Sequence, residues 1–382
     1  MFNPSNFLGS LQTLCLNHNL IEYTQMKDLD TRRRNQKMSA TATIMKILIP
    51  LVITVGLCYL LFTGVDFNEM VTIIRRDCDF RWIGLALALS VFSHVIRAAR
   101  WQIQLDALDC HVSLWNLTLS IFGTYAINLV FPRLGEVWRT GYVAHRRDKP
   151  FATIFGSMVC ERMCDTLMVL TLTFVTFLLA TPAIMAFLQK YPQVYEGLHG
   201  LITSPWVWCL VVIAGGVVIY LFKSRSNNIV MVKIRSILAE LWQGFAVVVK
   251  MKHKFRWLFL SVALWGCYFL QLYVCFYAFP FSRELLAAHG IIVALVCFVL
   301  SSIAMGIPSN GGIGPWQIAV IFGMTIYQPA GLTEAGAEAF HVNAAAFSNL
   351  VMGAQTVLLI LLGIFTFVMI ALEKRRGKVM KK

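Results

Sequence analysis

Apolar runs long enough to cross a lipid bilayer recur along this chain from about residue 44 to residue 371. A transmembrane helix needs roughly 17 to 25 mainly apolar residues, and only a helix or a closed barrel satisfies its own backbone groups where water is absent. Such runs can be read at 44–62, 82–96, 151–180, 206–222, 257–279, 290–307 and 342–371. The chain is therefore predicted to be an integral membrane protein.

The composition excludes a soluble globular domain. Hydrophobic residues make up 58% of the 382 residues and charged residues only 14%, whereas soluble domains are about 25% charged. No polar stretch between the apolar runs is long enough to fold separately. The predicted fold class is all-α: a polytopic membrane helix bundle with about eight crossings plus a re-entrant segment.

The distribution of basic residues predicts the orientation. The net charge is +14, and short loops rich in Lys and Arg stay on the cytoplasmic side. The basic segments are 1–42, 133–149, 223–256 and 374–382, while 64–81, 181–205 and 327–341 carry few basic residues for their acids or length. We therefore expect a protein of the cell membrane with both termini cytoplasmic.

Two apolar stretches do not fit a simple crossing. Residues 114–130 lie between segments that are both predicted to be cytoplasmic, so we expect them to enter and leave on that side as a re-entrant hairpin. Residues 316–327 must return outward but give only about 18 Å of helix at 1.5 Å per residue. They are predicted to be a short, broken crossing.

The predicted organisation has three parts. A polar, basic and disordered leader occupies 1–42, unless translation starts at Met38. The membrane domain occupies 43–376, and a basic cytoplasmic tail occupies 377–382. Seven of the ten cysteines fall inside apolar runs, where Cys behaves as a small hydrophobe. We expect no disulfide framework, no metal site and no cofactor.

Two Pro/Gly-rich interruptions mark the candidate site. One follows Asn128 and begins at Pro132; the other begins at Pro308, and both end at a Trp. They lie 176 residues apart (308 minus 132), about half the membrane domain. Interrupted segments in corresponding halves indicate a transporter binding site, although two kinks that only help helices to pack would give the same pattern. Glycines and helix N-termini in such turns, with arginines nearby, suit a phosphate-like head group.

A third constellation places Glu161, Arg162 and Asp165 inside the apolar run 151–180. Ionisable groups are costly at the centre of a bilayer, so these must face protein or water and pair with other charges. Glu136 and the arginines near the first interruption are the expected partners. A site or gate and a purely structural ion network are both open interpretations. Isolated polar residues such as His94 and Gln271 are expected to pack or to bond between helices.

These motifs resemble the flippase-like family formed by the transmembrane region of lysylphosphatidylglycerol synthases, the multiple peptide resistance factor family, and its stand-alone relatives. The matching stretches are IRAARW (96–101), NLVFPRLGEVWR (128–139), CERMCD (160–165) and PSNGGIGPWQ (308–317). The resemblance implies a bundle with re-entrant helices that moves amphiphilic lipids between leaflets. It also implies that the family's polar core includes Arg133, Glu136, Arg139, Glu161, Arg162 and Asp165.

The sequence departs from that family in two respects. Gln317 stands where the family usually has an acidic residue after its glycine turn, which puts a proton or cation role there in doubt. The soluble aminoacyl-transferase domain of the full synthases is absent from the sequence, so aminoacylation of lipid is not expected.

We therefore expect a lipid flippase or transporter for an anionic or amphiphilic lipid. A membrane enzyme acting on a lipid-linked substrate and a non-catalytic partner of a lipid-modifying enzyme are the alternatives. Membrane lipids are the expected partners and nucleic acid is not; a second copy of the chain or a lipid-modifying enzyme is left open. The candidate residues for substrate binding and translocation are Arg97, Arg100, Asn128, Arg133, Gly135, Glu136, Arg139, Glu161, Arg162, Asp165, Ser309, Asn310, Gly311, Gly312, Gly314 and Gln317.

Overall fold

The computed structural model describes residues 67–190, 251–329 and 331–379, with isolated positions between 193 and 216. Within the three continuous ranges the regular structure is ten helices and no strand. In chain order these are α1 (Phe67–Asp77), α2 (Phe80–Asp106), α3 (Leu114–Val130), α4 (Leu134–Arg147), α5 (Phe151–Lys190), α6 (Lys254–Cys275), α7 (Pro280–His289), α8 (Ile291–Ala304), α9 (Pro315–Ile326) and α10 (Glu334–Val379). The predicted leader 1–42 and the predicted spans 44–62 and 206–222 lie outside these ranges.

Among the described helices, four are long and apolar enough to cross a membrane: α2, α5, α6 and α10. They coincide with the apolar runs predicted at 82–96, 151–180, 257–279 and 342–371. Large apolar side chains such as Phe174 and Leu178 remain exposed along α5, at 64% and 58% of their surface, as a lipid-facing helix requires. The predicted all-α polytopic bundle is confirmed, while the total of eight crossings stays a prediction.

Helices α3 and α4 form a hairpin. Ser113 caps α3, the chain turns at 131–133 with Arg133 in a left-handed conformation (φ 61°), and α4 begins at Leu134. The two helices have 17 and 14 residues, and about 20 are needed to cross a 30 Å hydrocarbon core. This is the geometry expected of the re-entrant segment predicted at 114–130.

Close packing at Gly135 holds the two arms of this hairpin together. The Gly135 amide donates to the Asn128 side-chain oxygen at 2.8 Å. A Cβ at this position would overlap the carbonyl oxygen of Thr124. Gly135 is therefore required by the approach of α4 to α3.

Helices α8 and α9 form a second hairpin around the turn 305–314. Helix α8 has 14 residues and is bent by 109° from α7, and α9 has 12 residues. Gly323 of α9 packs directly on Cys297 of α8. The stretches predicted at 290–307 and 316–327 thus pack against each other as the two arms of one hairpin. Neither α8 nor α9 alone is as long as a full span, but α7 and α8 together are long enough for one bent span, so the two predicted crossings stay predictions.

The tips of the two hairpins meet. The Gly311 amide donates to the Asn128 carbonyl at 3.1 Å, and the Arg133 guanidinium donates to the Gly306 carbonyl at 2.7 Å. Leu129 packs on Gly311 at the same place. The two interruptions found in the sequence therefore occupy a single location.

Contacts along α10 show that the hairpins approach this location from opposite directions. Asn349, in the first half of α10, bonds Gln317 of α9, and Gly363, in its second half, packs on Ala126 of α3. Glu373, near the end of α10, pairs with Arg146 of α4 at 2.7 Å. The base of one hairpin lies toward the end of α10 and the base of the other toward its beginning.

We expect the two hairpin bases to be accessible from opposite sides of the membrane. Arg147→Cys at the base of the first hairpin should react with a membrane-impermeant thiol reagent only from the cytoplasmic side, and Leu332→Cys beside the second only from outside. The measurement is labelling of intact and permeabilised cells in a background without native cysteines. Labelling of Arg147→Cys from outside would contradict the re-entrant topology.

Candidate functional site

A buried carboxylate lies at the centre of the site. Glu161 of α5 has no exposed surface and accepts from three arginines of two other helices. Its Oε1 lies 2.7 Å from Nε of Arg97 and 3.0 Å from Nη2 of Arg100, both on α2. Its Oε2 lies 2.9 Å from Nη2 of Arg139 on α4. The sequence analysis predicted that the acidic residues of this helix pair with neighbouring arginines, and the structure contains that pairing at Glu161.

Asp165, one turn further along α5, shares two of these arginines. Its carboxylate lies 2.9 Å from Nη2 of Arg97 and 2.8 Å from Nη1 of Arg100. Arg97 also donates to the hydroxyls of Tyr125 and Tyr268. Every nitrogen of Arg97 thus has a protein partner, so this guanidinium is fixed in place.

A second charge pair lies closer to open space. Nη2 of Arg162 is 2.6 Å from Oε1 of Glu136, and the Asn128 amide donates to the other Glu136 oxygen at 3.4 Å. The Arg162 side chain is 41% exposed and that of Glu136 is 14% exposed. Asp165, which lies three residues after Arg162 on the same helix, is further from it at 3.9 Å.

The cluster carries an excess of positive charge. Four arginines, at 97, 100, 139 and 162, face three carboxylates, at 136, 161 and 165, which gives a formal charge of +1 (4 minus 3). Arg133, whose hydrogen-bond partner among the described residues is the Gly306 carbonyl, adds a further positive charge. An anion entering this region would complete the charge balance.

A cavity of about 880 Å³ adjoins the cluster. Its charged end is formed by Arg97, Arg133, Glu136, Arg162 and Asp165. Its other walls are largely apolar and are contributed by α2, α5, α6, α8 and α10. Those walls include Ile83, Leu87, Val169, Leu272, Phe298, Val351 and Leu359. The cavity is therefore amphipathic, with a charged end and an apolar body.

The structure separates the predicted site residues into two groups. Those that line the cavity are Arg97, Asn128, Arg133, Glu136, Arg162, Asp165, Ser309, Gly311 and Gly312. Those that do not line it are Arg100, Gly135, Arg139, Glu161, Asn310, Gly314 and Gln317. Glu161, Arg100 and Arg139 support the cavity from behind, and Arg139 stacks on the Trp101 ring with its Cζ 4.5 Å from the ring centroid.

Gln317 has a structural position at the start of α9. Its side-chain oxygen accepts from the Gly314 amide at 2.7 Å, and its side-chain nitrogen donates to Asn349 at 3.2 Å. It therefore caps the helix and ties the second hairpin to α10. This polar side chain is buried in a helix-end network instead of facing the cavity.

The glycines of the second turn are required by its backbone. Gly311, Gly312 and Gly314 have φ values of 64°, 83° and 92°, which a residue with a Cβ rarely adopts. A Cβ on Gly312 would also overlap the Met305 sulfur. Turn conformation and close packing explain these glycines without a ligand, although Gly311 and Gly312 do line the cavity.

Several cavity residues were not among the sequence-based candidates. Tyr125 and Tyr268 position Arg97, and the Trp265 indole donates to Asp165 at 3.4 Å. His94 and Gln271, expected to serve helix packing, line the cavity as well. A single residue of these types within an apolar run does not indicate a binding site. Only the tertiary contacts place these side chains at the cavity. Across the described ranges, no group of three or more His, Cys, Asp or Glu side chains is placed to hold a metal ion.

Fold and site together define a polytopic helical membrane protein with a buried, net-positive ion cluster beside an amphipathic cavity. The sequence of residues 47–363 matches the protein family described as the lysylphosphatidylglycerol synthase TM region. The chain therefore belongs to this family. The resemblance inferred from the four motifs is thereby confirmed.

A curated relative gives a partial match. The chain is 31% identical over 118 residues to the glycosyltransferase AglD of Haloferax volcanii. The match covers 31% of this chain and spans 19% of that relative's length. No solved structure matches the chain.

We expect Glu161→Gln to destabilise the protein strongly. The substitution removes the charge that holds three arginines in a buried position, and breaking a buried charge network typically costs about 3–5 kcal/mol. Thermal unfolding in detergent measures the effect. Glu373→Gln, which removes one partner of a half-exposed pair, is the matched control and should change stability by less than about 1 kcal/mol. Equal melting temperatures for Glu161→Gln and the wild type would show that the cluster does not support the fold.

Proposed function

We propose that this protein is a lipid transporter that moves an anionic or amphiphilic phospholipid between the leaflets of the cell membrane, with both termini cytoplasmic. The observation that carries the proposal is the cavity itself, which joins a net-positive charged end to an apolar body. A phospholipid has the same division, with a charged head group and apolar chains. The family, which is named for the membrane region of lipid-modifying proteins, supports a lipid as the substrate.

The head group would bind Arg162 and Arg133. Arg97 uses all its nitrogens within the protein, whereas Arg162 has one close carboxylate and Arg133 one carbonyl. Guanidinium groups bind phosphate oxygens in bidentate fashion, and both side chains line the cavity. A phosphate between them would compete with Glu136 for Arg162.

The meeting point of the hairpins would provide the polar path. Non-helical backbone at membrane depth is tolerated only where protein or a cavity satisfies it. Here the turns at 131–133 and 305–314 lie against each other and contribute Arg133, Ser309 and Gly311 to the cavity wall. A head group passing this point would meet polar groups from both hairpins instead of hydrocarbon.

A membrane enzyme or accessory subunit acting on lipid-linked substrates is the second candidate. The observation in its favour is the match to a relative named as a glycosyltransferase, which covers 31% of this chain. A lipid-binding cavity would serve either activity. Chemical analysis of the lipids recovered from a transport assay distinguishes them, since transport leaves the lipid unchanged. A second copy of the chain or a lipid-modifying enzyme encoded elsewhere could complete the assembly.

Leaflet exchange in reconstituted vesicles tests the transport proposal. We expect the wild-type protein to accelerate exchange of fluorescent phosphatidylglycerol, which is anionic, more than that of phosphatidylcholine. Arg162→Gln should slow the exchange of phosphatidylglycerol about tenfold or more, because hydrogen bonds to charged groups contribute about 1.5–3 kcal/mol. Exchange is followed by chemical quenching of the outer-leaflet fluorophore.

Arg147→Gln is the matched control for this experiment. It removes an exposed arginine at the end of α4, away from the cavity, and should leave exchange unchanged. Melting temperatures of both variants establish that they fold. Exchange rates equal to those of protein-free vesicles for every lipid tested would refute the transport function.

A further inference from the structure

Three polar side chains on the cavity wall carry atoms that have no hydrogen-bond partner among the described residues. These atoms are both ring nitrogens of His94, the side-chain nitrogen of Gln271 and the hydroxyl of Ser309. His94 is 3% exposed and Ser309 is 7% exposed. Buried polar groups are nearly always satisfied, and leaving one unpaired costs about 1–3 kcal/mol. Each of these side chains lines the cavity and has hydrogen-bonding capacity that the described residues leave unused.

Two of these three side chains, His94 and Gln271, lie at the same height along the helix axes, and this height is called the neutral level below. His94 is one turn before Arg97 on α2, and Gln271 is one turn after Tyr268 on α6, whose hydroxyl accepts from Arg97 at 3.2 Å. The two helices run antiparallel, because Asp79 bonds Ala278 at one end and Arg100 approaches Ser261 towards the other. His94 and Gln271 are therefore displaced from Arg97 in the same direction, by about 4.5 Å of helix rise.

This level is uncharged and differs from the ion cluster. The His94 ring packs against Tyr125 with centroids 4.5 Å apart and against Phe122 at 5.9 Å, which fixes its plane. One turn further from Arg97, Ser90 and Gln355 satisfy each other at 2.6 Å. A ligand would thus meet charged residues first, then neutral donors and acceptors, and then the apolar wall.

We propose that the cavity recognises a head group in which a phosphate is joined to a hydroxyl-rich unit, a sugar or a polyol. The phosphate would bind near Arg162 and Arg133, and the hydroxyls would bond His94, Gln271 and Ser309. Hydroxyls both donate and accept, as the two nitrogens of a neutral imidazole require. The inference rests on the proposed lipid-binding function and names the class of lipid that it serves.

A simple phosphate ester and a quaternary ammonium head group fit less well. A phosphate alone is already balanced by the arginines and has no group for the neutral level. A choline head group offers no hydrogen-bond donor to His94 or Ser309 and would add positive charge to a region that already has an excess. Ordered water could occupy the same positions, and binding measurements separate these cases.

The test compares two phospholipids of equal charge and equal acyl chains. Phosphatidylinositol carries a hydroxyl-rich ring and phosphatidylmethanol carries none, and both are phosphodiesters. We expect the detergent-purified protein to bind phosphatidylinositol about tenfold more tightly in a saturable titration, a difference of about 1.4 kcal/mol. A third arm with a glycosylated polyprenyl phosphate shows whether the hydroxylated head group is carried on acyl chains or on a polyprenyl chain.

Variants localise the preference. Gln271→Leu and His94→Phe should each weaken phosphatidylinositol binding several-fold and leave phosphatidylmethanol binding unchanged. Ser309→Ala, the smallest change, provides the same test if either variant folds poorly. Gln104→Leu is the matched control. Gln104 is fully buried and neither of its amide atoms has a partner among the described residues, but it does not line the cavity, so this variant should alter neither affinity.

The outcomes separate this inference from the transport proposal. Equal affinity of the wild type for both phospholipids, or equal weakening of both by Gln271→Leu and His94→Phe, would overturn the inference and favour water at this level. A phosphatidylinositol preference that depends on these residues, without any leaflet exchange, would uphold it and refute transport. Absence of saturable binding by any of the lipids, the polyprenyl one included, would overturn both.

Discussion

The interaction on which the site depends is the pairing of one buried carboxylate with three arginines. Glu161 cannot remain charged and fully buried without partners, because an isolated ion in a low-dielectric interior costs many kcal/mol. Arg97 and Arg100 come from α2 and Arg139 from α4, so the same contacts fix α2, α4 and α5 relative to one another. The position of the cavity-facing charges follows from this cluster. Asp165 and Arg97 are placed by bonds to groups behind the wall, while Arg162 and Glu136 pair on its open side.

The second constraint is the backbone at the two hairpin tips. Amides and carbonyls in a turn at membrane depth need partners, and here the two turns supply them to each other through Asn128, Gly311, Arg133 and Gly306. Small residues make this approach feasible, since Gly311 admits Leu129 and Gly363 of α10 admits Ala126. Helix α10 contacts both hairpins along its length. An irregular, polar region is thereby enclosed within an apolar bundle and opens into the cavity.

Charge and unused hydrogen-bonding capacity are distributed unevenly in this cavity. That distribution determines which ligand the cavity is proposed to bind. Glu161, Asp165 and Arg97 are engaged in bonds within the ion cluster, so the cluster sets the local field more than it binds. Among the described side chains that line the cavity, those with bonding capacity to spare include Arg162 and Arg133 at the charged end, and His94, Gln271 and Ser309. A ligand is selected by unsatisfied groups, because satisfied ones gain little from a new partner.

The sequence by itself determined the class of fold and the family. Apolar run length identified the four long helices, since the bilayer requires a certain number of apolar residues whatever the neighbours are. The charge pattern around 114–130 indicated a re-entrant segment, and the cost of intramembrane charge identified Glu161 and Asp165 as members of a paired cluster. The motifs at 96–101, 128–139, 160–165 and 308–317 identified the family.

Only the tertiary structure decided which of these residues face the cavity. Glu161, Arg100 and Arg139 resemble Asp165 and Arg162 in a sequence, but contacts between residues 22 to 65 positions apart place the first three behind the wall. Tertiary packing likewise places His94 and Gln271 on the cavity wall. It also buries Gln317 in the helix-end network, where it caps α9. Residue type and local spacing fix a side chain's chemistry and its helix face, whereas the partner of that face is set by helices distant in the chain.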